Sequence, residues 1–351
     1  MIPLGRRIGL LHWLREHLDT ARRQQLLPII RRAQDANPWF TFEHINIALD
    51  AWFDALQPEK IEKWLEPYRE SLESERDLLT VGLVLPGNLP LVGLHDLICV
   101  MVSGHNAQVK LSSKDTVLMK WVLNLWYEAE PSIKEVIQEV DQLRDIDAII
   151  ATGSTHTMRV FKQYFGKYPN IIRGSRTSVA VLTGDETEDD IIKLGYDVFT
   201  YFGFGCRNVS YIFAPKGYDW KNLLRIWDKH FINVTQHNLY MNNYDYNLSI
   251  FLLNKIPHLQ GATVLIRESD KLFSPVSVVH VGYYENPEEA KLIIQSLSDS
   301  IQCVASNIED LPYKVPLGQT QYPQLWDYAD HIDTMEFLLE GIYVSEKQGT
   351  T

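Results

Sequence analysis

Cysteine is scarce in this chain, which has only Cys99, Cys206 and Cys303 among 351 residues. An odd, widely spaced set of three is a poor basis for a disulfide framework and is typical of a reducing compartment, so we expect a cytoplasmic protein. There is no CxxC pair and no HExxH helix, which excludes the commonest cysteine-rich and zincin-type zinc sites. We therefore expect no metal centre.

Positive charge and long apolar runs are scarce as well. The net charge of -12 is opposite in sign to the clustered Lys and Arg that phosphate contacts require, so no nucleic-acid partner is expected. No apolar run reaches the about 18 residues of a membrane-spanning helix, and the N-terminus lacks the features of a secretory signal. Hydrophobic residues make up 45% and charged residues 22%, as is typical of a globular protein, and the length allows two domains.

The pattern of apolar residues predicts helices first and then an alternation of strands and helices. Residues 7–78 have leucines at helical spacing, with a break expected at Pro28 and an exposed, charged helix pair over 58–76. Further helices are expected at residues 91–101, 116–128 with a cap from 113–115, from 155, from the acidic stretch 185–190 to about 201, within 219–255, and at 287–296. Strands are expected at residues 80–85, 106–111, 148–152, 178–182, 208–214, 262–266, 277–281 and 300–305. Such alternation indicates an α/β fold with a parallel sheet covered by helices.

One segment, Phe202–Ser210 (FGFGCRNVS), places Cys206 directly after two glycines and before Arg207. A nucleophilic thiolate needs access and a positive environment, and glycines permit an open turn. The alternative is a buried small hydrophobe, which is the usual fate of a cysteine without a disulfide. Cys99 and Cys303 lie in apolar segments and are interpreted as core residues.

Three other positions follow predicted strands. Asn88 lies in the turn after the first strand, Lys110 ends the second, and Gly153-Ser154 joins the third to a helix that begins near Thr155. Backbone N–H groups and the helix dipole at such a junction favour a pyrophosphate. The alternatives are an ordinary turn asparagine, a surface lysine and a simple capped turn. The polar pair His95-Asp96, in an otherwise apolar helix, is interpreted as a satisfied core pair.

Seven segments, in this order, resemble the aldehyde dehydrogenase superfamily, and more specifically acyl-CoA reductases of the long-chain fatty acyl reductase (LuxC) type. They are LPGNLP (85–90), VKLSSKD (109–115), ATGS (151–154), RTSVAV (176–181), GFGCRNVS (203–210), FSPV (273–276) and PLGQ (316–319). The resemblance implies an aldehyde dehydrogenase-like fold with two domains. Residues 1–175, joined by 316–351, would form a helical N-terminal region and a Rossmann-type nucleotide-binding domain, and 176–315 an α/β catalytic domain.

The resemblance also implies roles for the catalytic residues. Cys206 would be the nucleophile. The side-chain amide of Asn88 and the backbone N–H of Cys206 would hold the oxyanion of the tetrahedral intermediate. Members of the superfamily commonly form dimers or tetramers through a strand near the C-terminus, so a homo-oligomer is expected, with residues 330–345 as the candidate strand.

A nicotinamide cofactor is implied by the same resemblance. Lys110 would contact the adenosine ribose or its phosphate, with Ser112 and Lys114 contributing if a 2′-phosphate is present. Gly153 and Ser154 would take the pyrophosphate. NADPH is the expected cofactor, with NADH as the alternative.

The chain departs from the superfamily pattern at two positions. Hydrolytic members carry a glutamate base where this chain has Ile172-Arg173, and a glutamate that contacts the nicotinamide ribose is replaced by Lys271. Because a base is needed to activate water against a thioester, its absence favours acyl reduction over oxidation to an acid.

The predicted function is an acyl-CoA reductase that forms an acyl-enzyme thioester on Cys206 from a fatty acyl-CoA or acyl-carrier substrate and reduces it to the aldehyde. Three alternatives stay open. They are a cysteine acyltransferase or thioesterase without nicotinamide use, a degenerate nucleotide- or acyl-binding partner protein, and an aldehyde-oxidising dehydrogenase, which the missing base disfavours.

Overall fold

The chain divides into two compact units in a computed structural model that describes residues 2–344. The first unit comprises residues up to Ser175 and from Pro323 onward, and the second comprises Arg176–Tyr322. The second unit is therefore an insertion in the sequence of the first. It extends to Tyr322, beyond the boundary of 315 expected from the sequence.

Helices and strands alternate along most of the chain after a helical N-terminal region. The helices are α1 (Leu4–Leu18), α2 (Arg23–Ala36), α3 (Phe42–Ala55), α4 (Pro58–Leu65), α5 (Arg69–Glu73), α6 (Leu94–Ser103), α7 (Thr116–Ala129), α8 (Ile133–Val136), α9 (Thr155–Phe165), α10 (Glu188–Phe199), α11 (Trp220–His230), α12 (Asn238–Leu253), α13 (Pro287–Ser296), α14 (Thr334–Glu336) and α15 (Ile342–Val344). The strands are β1 (Thr80–Val84), β2 (Asn106–Lys110), β3 (Ile137–Glu139), β4 (Ala148–Thr152), β5 (Asn170–Arg173), β6 (Thr177–Val181), β7 (Val209–Pro215), β8 (Leu259–Gln260), β9 (Leu265–Glu268), β10 (Val278–Tyr284), β11 (Ile301–Ser306) and β12 (Lys314–Val315). None of these helices is both long and apolar enough to span a membrane.

The first unit contains a five-stranded sheet in the order β3-β2-β1-β4-β5, with all strands parallel. The chain moves outward from β1 to β2 and β3 on one side, and then returns to place β4 and β5 on the other side. The strand order therefore reverses at β1. In open parallel sheets, ligands bind outside the carboxyl ends of the strands at such a reversal.

The register of the sheet brings three strand ends together at this reversal. Val84 of β1 pairs with Lys110 of β2 on one side and with Ala151 of β4 on the other. The loops that follow β1, β2 and β4 consequently leave the sheet side by side.

The second unit contains a seven-stranded sheet in the order β12-β11-β6-β7-β10-β9-β8. All neighbours are parallel except β8, which is antiparallel to β9. A capping box at Thr187 and Asp190 starts helix α10, where the acidic stretch of the sequence predicted a helix start. The α/β fold class predicted from the sequence is confirmed.

The predicted break at Pro28 is wrong, because α2 continues through that residue and the chain turns instead at Thr20–Arg22. A proline inside a helix removes one backbone hydrogen bond. Leu26, Ile30 and Ala33 of this helix are buried in the core of the first unit, and their burial compensates for that loss. The predicted exposure of residues 58–76 is also wrong in part, since Ile61, Trp64, Leu65 and Leu72 are buried.

The C-terminal strand expected for oligomer formation is also wrong for the described part of residues 330–345. This segment forms α14, a π-helical turn over Phe337–Gly341, and α15. Met335, Leu338 and Leu339 are buried in the core of the first unit, so they offer no apolar strand face to a second copy. The buried His105 ring holds the segment as well, because its Nε2 donates to the carbonyl of Leu338 at 2.8 Å.

Candidate active site

The loop after β1 carries Asn88 and packs very closely on the loop after β2. A Cβ added to Gly87 would lie 2.5 Å from the Oγ and 2.6 Å from the Cβ of Ser112, so only glycine fits at this position. On the other side of Asn88, Leu91 has a φ of 56°, in the left-handed region that non-glycine residues rarely adopt. The contact of Gly87 with Ser112 therefore fixes the two loops against each other before Asn88, and Leu91 is held in a strained conformation after it.

Asp115 makes the second link between these loops. It precedes α7, where the sequence predicted a cap, but its side chain accepts no hydrogen bond from that helix. Instead its Oδ2 accepts from the N–H of Leu91 at 2.7 Å. Of the predicted cap over residues 113–115, Asp115 does take the N-cap position, but its carboxylate bonds a different loop. Burial raises the pKa of this carboxyl well above its usual range.

Lys110 and Ser112 lie on the neighbouring strand end. Lys110 is the last residue of β2 and is exposed, and Ser112 is half-buried beneath Gly87. The Oγ of Ser112 accepts from the N–H of Lys114 at 3.3 Å, and its carbonyl accepts from the N–H of Asp115 at 3.2 Å. These bonds form a tight turn after β2, and the side chain of Lys110 extends into solvent.

Gly153 and Ser154 connect β4 to α9, as the sequence predicted. The Oγ of Ser154 accepts from the N–H of Thr157 at 3.2 Å and so caps the helix. The N–H of Gly153 donates to the carbonyl of Arg173 at 3.2 Å, which fixes the turn on β5. A capped helix therefore starts at the reversal of the sheet, where its dipole favours a bound anion.

Arg173 belongs to the pair Ile172-Arg173, where the resemblance noted in the sequence predicts that a hydrolytic base is missing. It ends β5, and its guanidinium donates to both carboxylate oxygens of Asp96, at 2.8 and 2.7 Å, and to the hydroxyl of Thr334 at 2.9 Å. All three side chains are buried. The Asp96 carboxylate is thus paired through both oxygens with the Nη1 of Arg173, in a buried ion pair.

His95 and Cys99 belong to the same part of the core. The Nε2 of His95 donates to the carbonyl of Leu325 at 2.8 Å, and its Nδ1 lies 3.7 Å from the Sγ of Cys99. Burial raises the pKa of the Cys99 thiol well above its ordinary value. Asp96 is satisfied by Arg173, so the structure agrees with the core interpretation of these residues.

Cys206 lies in the second unit, in a turn between α10 and β7. The turn has four left-handed residues, with φ angles of 56° at Tyr201, 57° at Phe202, 81° at Gly203 and 99° at Gly205. Two of the four are bulky aromatic residues, for which this conformation is costly. The turn places a half-buried Cys206 just before the amino end of β7.

The backbone of Cys206 is held by a residue that sequence reasoning missed. The hydroxyl of Ser178, a buried residue of β6, donates to the carbonyl of Cys206 at 3.0 Å. The Oγ of Ser178 accepts from the N–H of Cys303 at 3.1 Å and lies 3.1 Å from the Cys303 Sγ. A serine within the apolar run 178–182 was the available signal. Cys303 is buried, as expected.

Arg207 contacts a loop that is held by Asp197, another buried carboxylate, whose role sequence reasoning missed. The Nε of Arg207 donates to the carbonyl of Thr320 at 2.5 Å. Asp197 of α10 accepts from the N–H of Gly318 at 2.6 Å, and from the N–H and hydroxyl of Thr320 at 3.0 and 2.8 Å. Burial raises the pKa of Asp197 to about 6 despite these donors.

The loop after β9 contains Lys271 and lies against the same sheet edge as Cys206. The side chain of Lys271 is exposed, while its carbonyl accepts from the Nδ1 of His280 at 2.7 Å. The carbonyl of the next residue, Leu272, accepts from the hydroxyl of Ser210 at 3.1 Å. The backbone of this loop is therefore fixed, and the lysine is free to extend into solvent.

The structure thus groups the predicted residues in two sets. Five of them lie at the carboxyl edge of the first sheet, at the reversal of strand order: Lys110 at the end of β2, and Asn88, Ser112, Gly153 and Ser154 on the loops. Cys206 lies at the amino end of a strand in the second unit.

No protein-family model matches this chain, and no curated protein matches its sequence. Solved structures, in contrast, are similar over most of its length. Aldehyde dehydrogenase 21 from Physcomitrella patens, solved with the reaction product succinate, has a TM-score of 0.68 and 12% identity, covering 97% of this chain and 85% of that one. A Mycobacterium tuberculosis aldehyde dehydrogenase complexed with NAD+ has a TM-score of 0.62 and 13% identity, covering 91% and 76%.

A third similar structure is an NAD-dependent aldehyde dehydrogenase from Sinorhizobium meliloti, with a TM-score of 0.64 and 12% identity, covering 91% of this chain and 72% of that one. At such low identity the likeness concerns the fold alone. The chain therefore has the aldehyde dehydrogenase fold.

Proposed function

We propose that this protein is a nicotinamide-dependent acyl-CoA reductase that carries its acyl group on Cys206. The observation that carries this proposal is the buried ion pair between Arg173 and Asp96, because Arg173 belongs to the Ile172-Arg173 pair that the resemblance aligns with the hydrolytic base. The fold supports an oxidoreductase of the aldehyde dehydrogenase type, and the structural relatives include enzymes solved with or named for NAD. The residues at each site support the finer assignment.

The first unit offers residues that fit a dinucleotide. The reversal of strand order at β1, the Ser154-capped start of α9 and the exposed Lys110 together match the polar requirements of a pyrophosphate and a ribose. Gly87 and Gly153 lack a Cβ that would collide with Ser112 and Thr157, so both loops stay closely packed. When bound there, a reduced nicotinamide supplies the hydride that converts a thioester on Cys206 into a thiohemiacetal. We propose NADPH, because Lys110 and Lys114 provide positive charge for a 2′-phosphate.

The covalent step belongs to Cys206. Its thiolate attacks the carbonyl carbon of the acyl thioester, a C–S bond forms, and the bond to coenzyme A breaks as that thiol leaves and takes a proton from solvent. In the tetrahedral intermediate, the backbone N–H of Cys206 and the side-chain amide of Asn88 are the proposed donors to the oxyanion. Ser178 fixes the peptide that follows the nucleophile.

The fate of the acyl-enzyme depends on whether water is activated. Hydrolysis of a thioester requires a base that removes a proton from water. Arg173 has no such capacity, and the Asp96 carboxylate next to it is buried and already bound at both oxygens. The acyl group on Cys206 therefore persists until it is reduced, after which collapse of the thiohemiacetal releases the aldehyde and returns the thiolate.

The test is the loss of NADPH absorbance with a series of acyl-CoA chain lengths, measured for wild type and for Cys206→Ala. We expect turnover only with wild type, and an acyl adduct on wild type but not on the variant by intact-protein mass spectrometry. Cys99→Ala is the matched control, because that thiol is fully buried and should affect neither result.

The same experiment separates the alternatives. An acyl adduct without NADPH consumption would replace reduction with acyl transfer, and equal labelling of wild type and Cys206→Ala would overturn the role of this cysteine. Formation of NADPH and a carboxylic acid from aldehydes, at rates above the reductive reaction, would favour an oxidising dehydrogenase.

A further inference from the structure

Asn88 is exposed, so packing of its own side chain does not fix it. Its position depends on the backbone of the loop that follows β1. That backbone is held before Asn88 by the contact of Gly87 with Ser112, and after it by the hydrogen bond from Leu91 to Asp115. Any role of Asn88 that requires defined geometry therefore depends on these two links.

The second link stabilises a costly conformation. Leu91 has a φ of 56°, which crowds its Cβ against the backbone, and its side chain is fully buried in the core of the first unit. The buried side chain fixes one end of the residue, and the 2.7 Å bond to Asp115 fixes its N–H. Without an acceptor, the buried N–H of Leu91 would be unsatisfied, and no hydrogen bond would offset the cost of the left-handed conformation.

The acceptor itself is placed at a cost. Asp115 is 3% exposed, and its Oδ1 has no hydrogen-bond partner among the residues that the structure describes. Desolvation of a carboxylate with one unpartnered oxygen is unfavourable. No hydrogen bond to the start of α7 offsets this cost, because the Asp115 side chain does not cap that helix. The bond to Leu91 is the interaction that this carboxylate makes with the neighbouring loop.

We propose that Asp115 is a positioning residue that holds the Asn88 loop in its catalytic conformation through the N–H of Leu91. It also joins that loop to the β2 loop, which carries Lys110 and Ser112, so the proposed oxyanion donor and the proposed nucleotide contacts share one rigid support. The effect on catalysis rests on the proposed function, whereas the link between the loops does not.

Two variants separate the hydrogen bond from the volume of the side chain. Asp115→Leu is nearly isosteric but cannot accept, whereas Asp115→Asn keeps one acceptor oxygen. Asp147→Leu is the matched control, because the Oδ2 of Asp147 accepts from the N–H of Thr80 at 2.7 Å at the opposite end of β1. All three would first be checked for a cooperative unfolding transition.

The first measurement is amide hydrogen exchange of the peptide that covers residues 86–93. We expect Asp115→Leu to exchange faster there by about tenfold or more, with Asp115→Asn near wild type and Asp147→Leu affecting only residues around Thr80. Unchanged protection of residues 86–93 in Asp115→Leu would overturn the proposal, whether or not the protein reduces acyl-CoA.

The second measurement is the rate of Cys206 acylation by acyl-CoA in rapid-quench experiments. Asp115→Leu should lower the maximal rate by about 10- to 100-fold with little change in the half-saturating concentration, and Asp115→Asn should restore most of the rate. In an Asn88→Ala background, Asp115→Leu should have little further effect, because it acts through Asn88.

Equal slowing by Asp115→Leu in the presence and absence of Asn88 would overturn the positioning role. A wild-type protein that is never acylated would overturn the proposed function instead, and the exchange measurement would still decide whether Asp115 holds the loop.

Discussion

The hydroxyl of Ser178 donates a 3.0 Å hydrogen bond to the carbonyl oxygen of Cys206. Ser178 lies on β6, 28 residues before the cysteine, and is fully buried. The bond fixes the peptide that follows the proposed nucleophile, and Cys303 in turn fixes Ser178. A strand of the second sheet therefore fixes the backbone orientation of Cys206.

Replacing Ser178 with alanine should impair both stability and acylation. The lost buried hydrogen bond should lower the free energy of unfolding by about 1–2 kcal/mol. Acylation of Cys206 should slow by roughly tenfold because the turn loses its fixed peptide. Urea unfolding and rapid-quench labelling measure the two effects.

Ser306→Ala is the matched control for Ser178. The buried hydroxyl of Ser306 on β11 donates to the carbonyl of Val181 at 2.6 Å, so its loss should cost similar stability. It should leave the acylation rate unchanged. Equal slowing by both alanine variants would assign the effect of Ser178 to general destabilisation.

Gly87→Ala should displace the Asn88 loop. The new Cβ would lie 2.5 Å from the Oγ of Ser112, so we expect a loss of about 1–3 kcal/mol in the free energy of unfolding and slower acylation. The double variant with Ser112→Gly should recover part of both, because the nearest atoms are removed. Gly9→Ala in α1, where nothing lies within 4 Å of the added Cβ, should instead stabilise the helix by about 0.5–1 kcal/mol. A Gly87→Ala protein as stable and active as wild type would contradict the close contact.

Asp197 should make stability depend on pH. Its pKa is raised from 3.8 to about 6 by burial, so the folded state binds the proton more tightly than the unfolded state. The resulting stabilisation is fully present below about pH 4 and is lost as pH rises through about 6. From the 1.36 kcal/mol of each pKa unit, the loss is about 3 kcal/mol.

The measurement is urea unfolding of wild type and Asp197→Asn at pH 4, 5.5 and 7.5. The other carboxyls are common to both proteins. The free energy of unfolding of wild type should therefore fall, relative to that of Asp197→Asn, as pH rises. A difference that is constant across this range would show that Asp197 does not titrate there.

Lys110→Met should selectively weaken the binding of NADPH. A hydrogen bond from a charged donor is worth about 1.5–3 kcal/mol, so we expect the KM for NADPH to rise by about tenfold or more, with little change in the KM for acyl-CoA. Lys120→Met is the control, because that exposed lysine on α7 pairs with Glu139 at 2.9 Å. Steady-state kinetics measure both KM values, and an unchanged KM for NADPH would remove Lys110 from the proposed site.

The sequence predicts several elements at or near their observed bounds. β4 and α13 lie where their apolar runs and capping signals place them, at Ala148–Thr152 and Pro287–Ser296. Four of the five residues of β4 are buried, and α13 begins with Pro287 after the capping residue Asn286, so each element leaves a local signal in the sequence. The two short strands β3 and β5 were not predicted, because Ile137–Glu139 and Asn170–Arg173 are too short and too polar to differ from loops.

What the sequence could not reveal are contacts between distant residues. Asp115 has the local features of a helix cap, yet its partner is Leu91 in another loop. The buried ion pair of Arg173 and Asp96 joins residues 77 apart, and no local pattern marks it. Continuation of α2 through Pro28 likewise depends on burial in a core formed by many segments, which outweighs the local preference of proline.

The insertion of the second unit has a consequence for how the protein is made. The core of the first unit includes side chains from beyond residue 323, among them Leu325, Met335 and Leu338. On the ribosome, the first unit has to wait for these residues, while the whole of Arg176–Tyr322 has already been synthesised. The unit encoded second is therefore the first whose chain is complete, and it can fold while the N-terminal helices still lack the last part of their core.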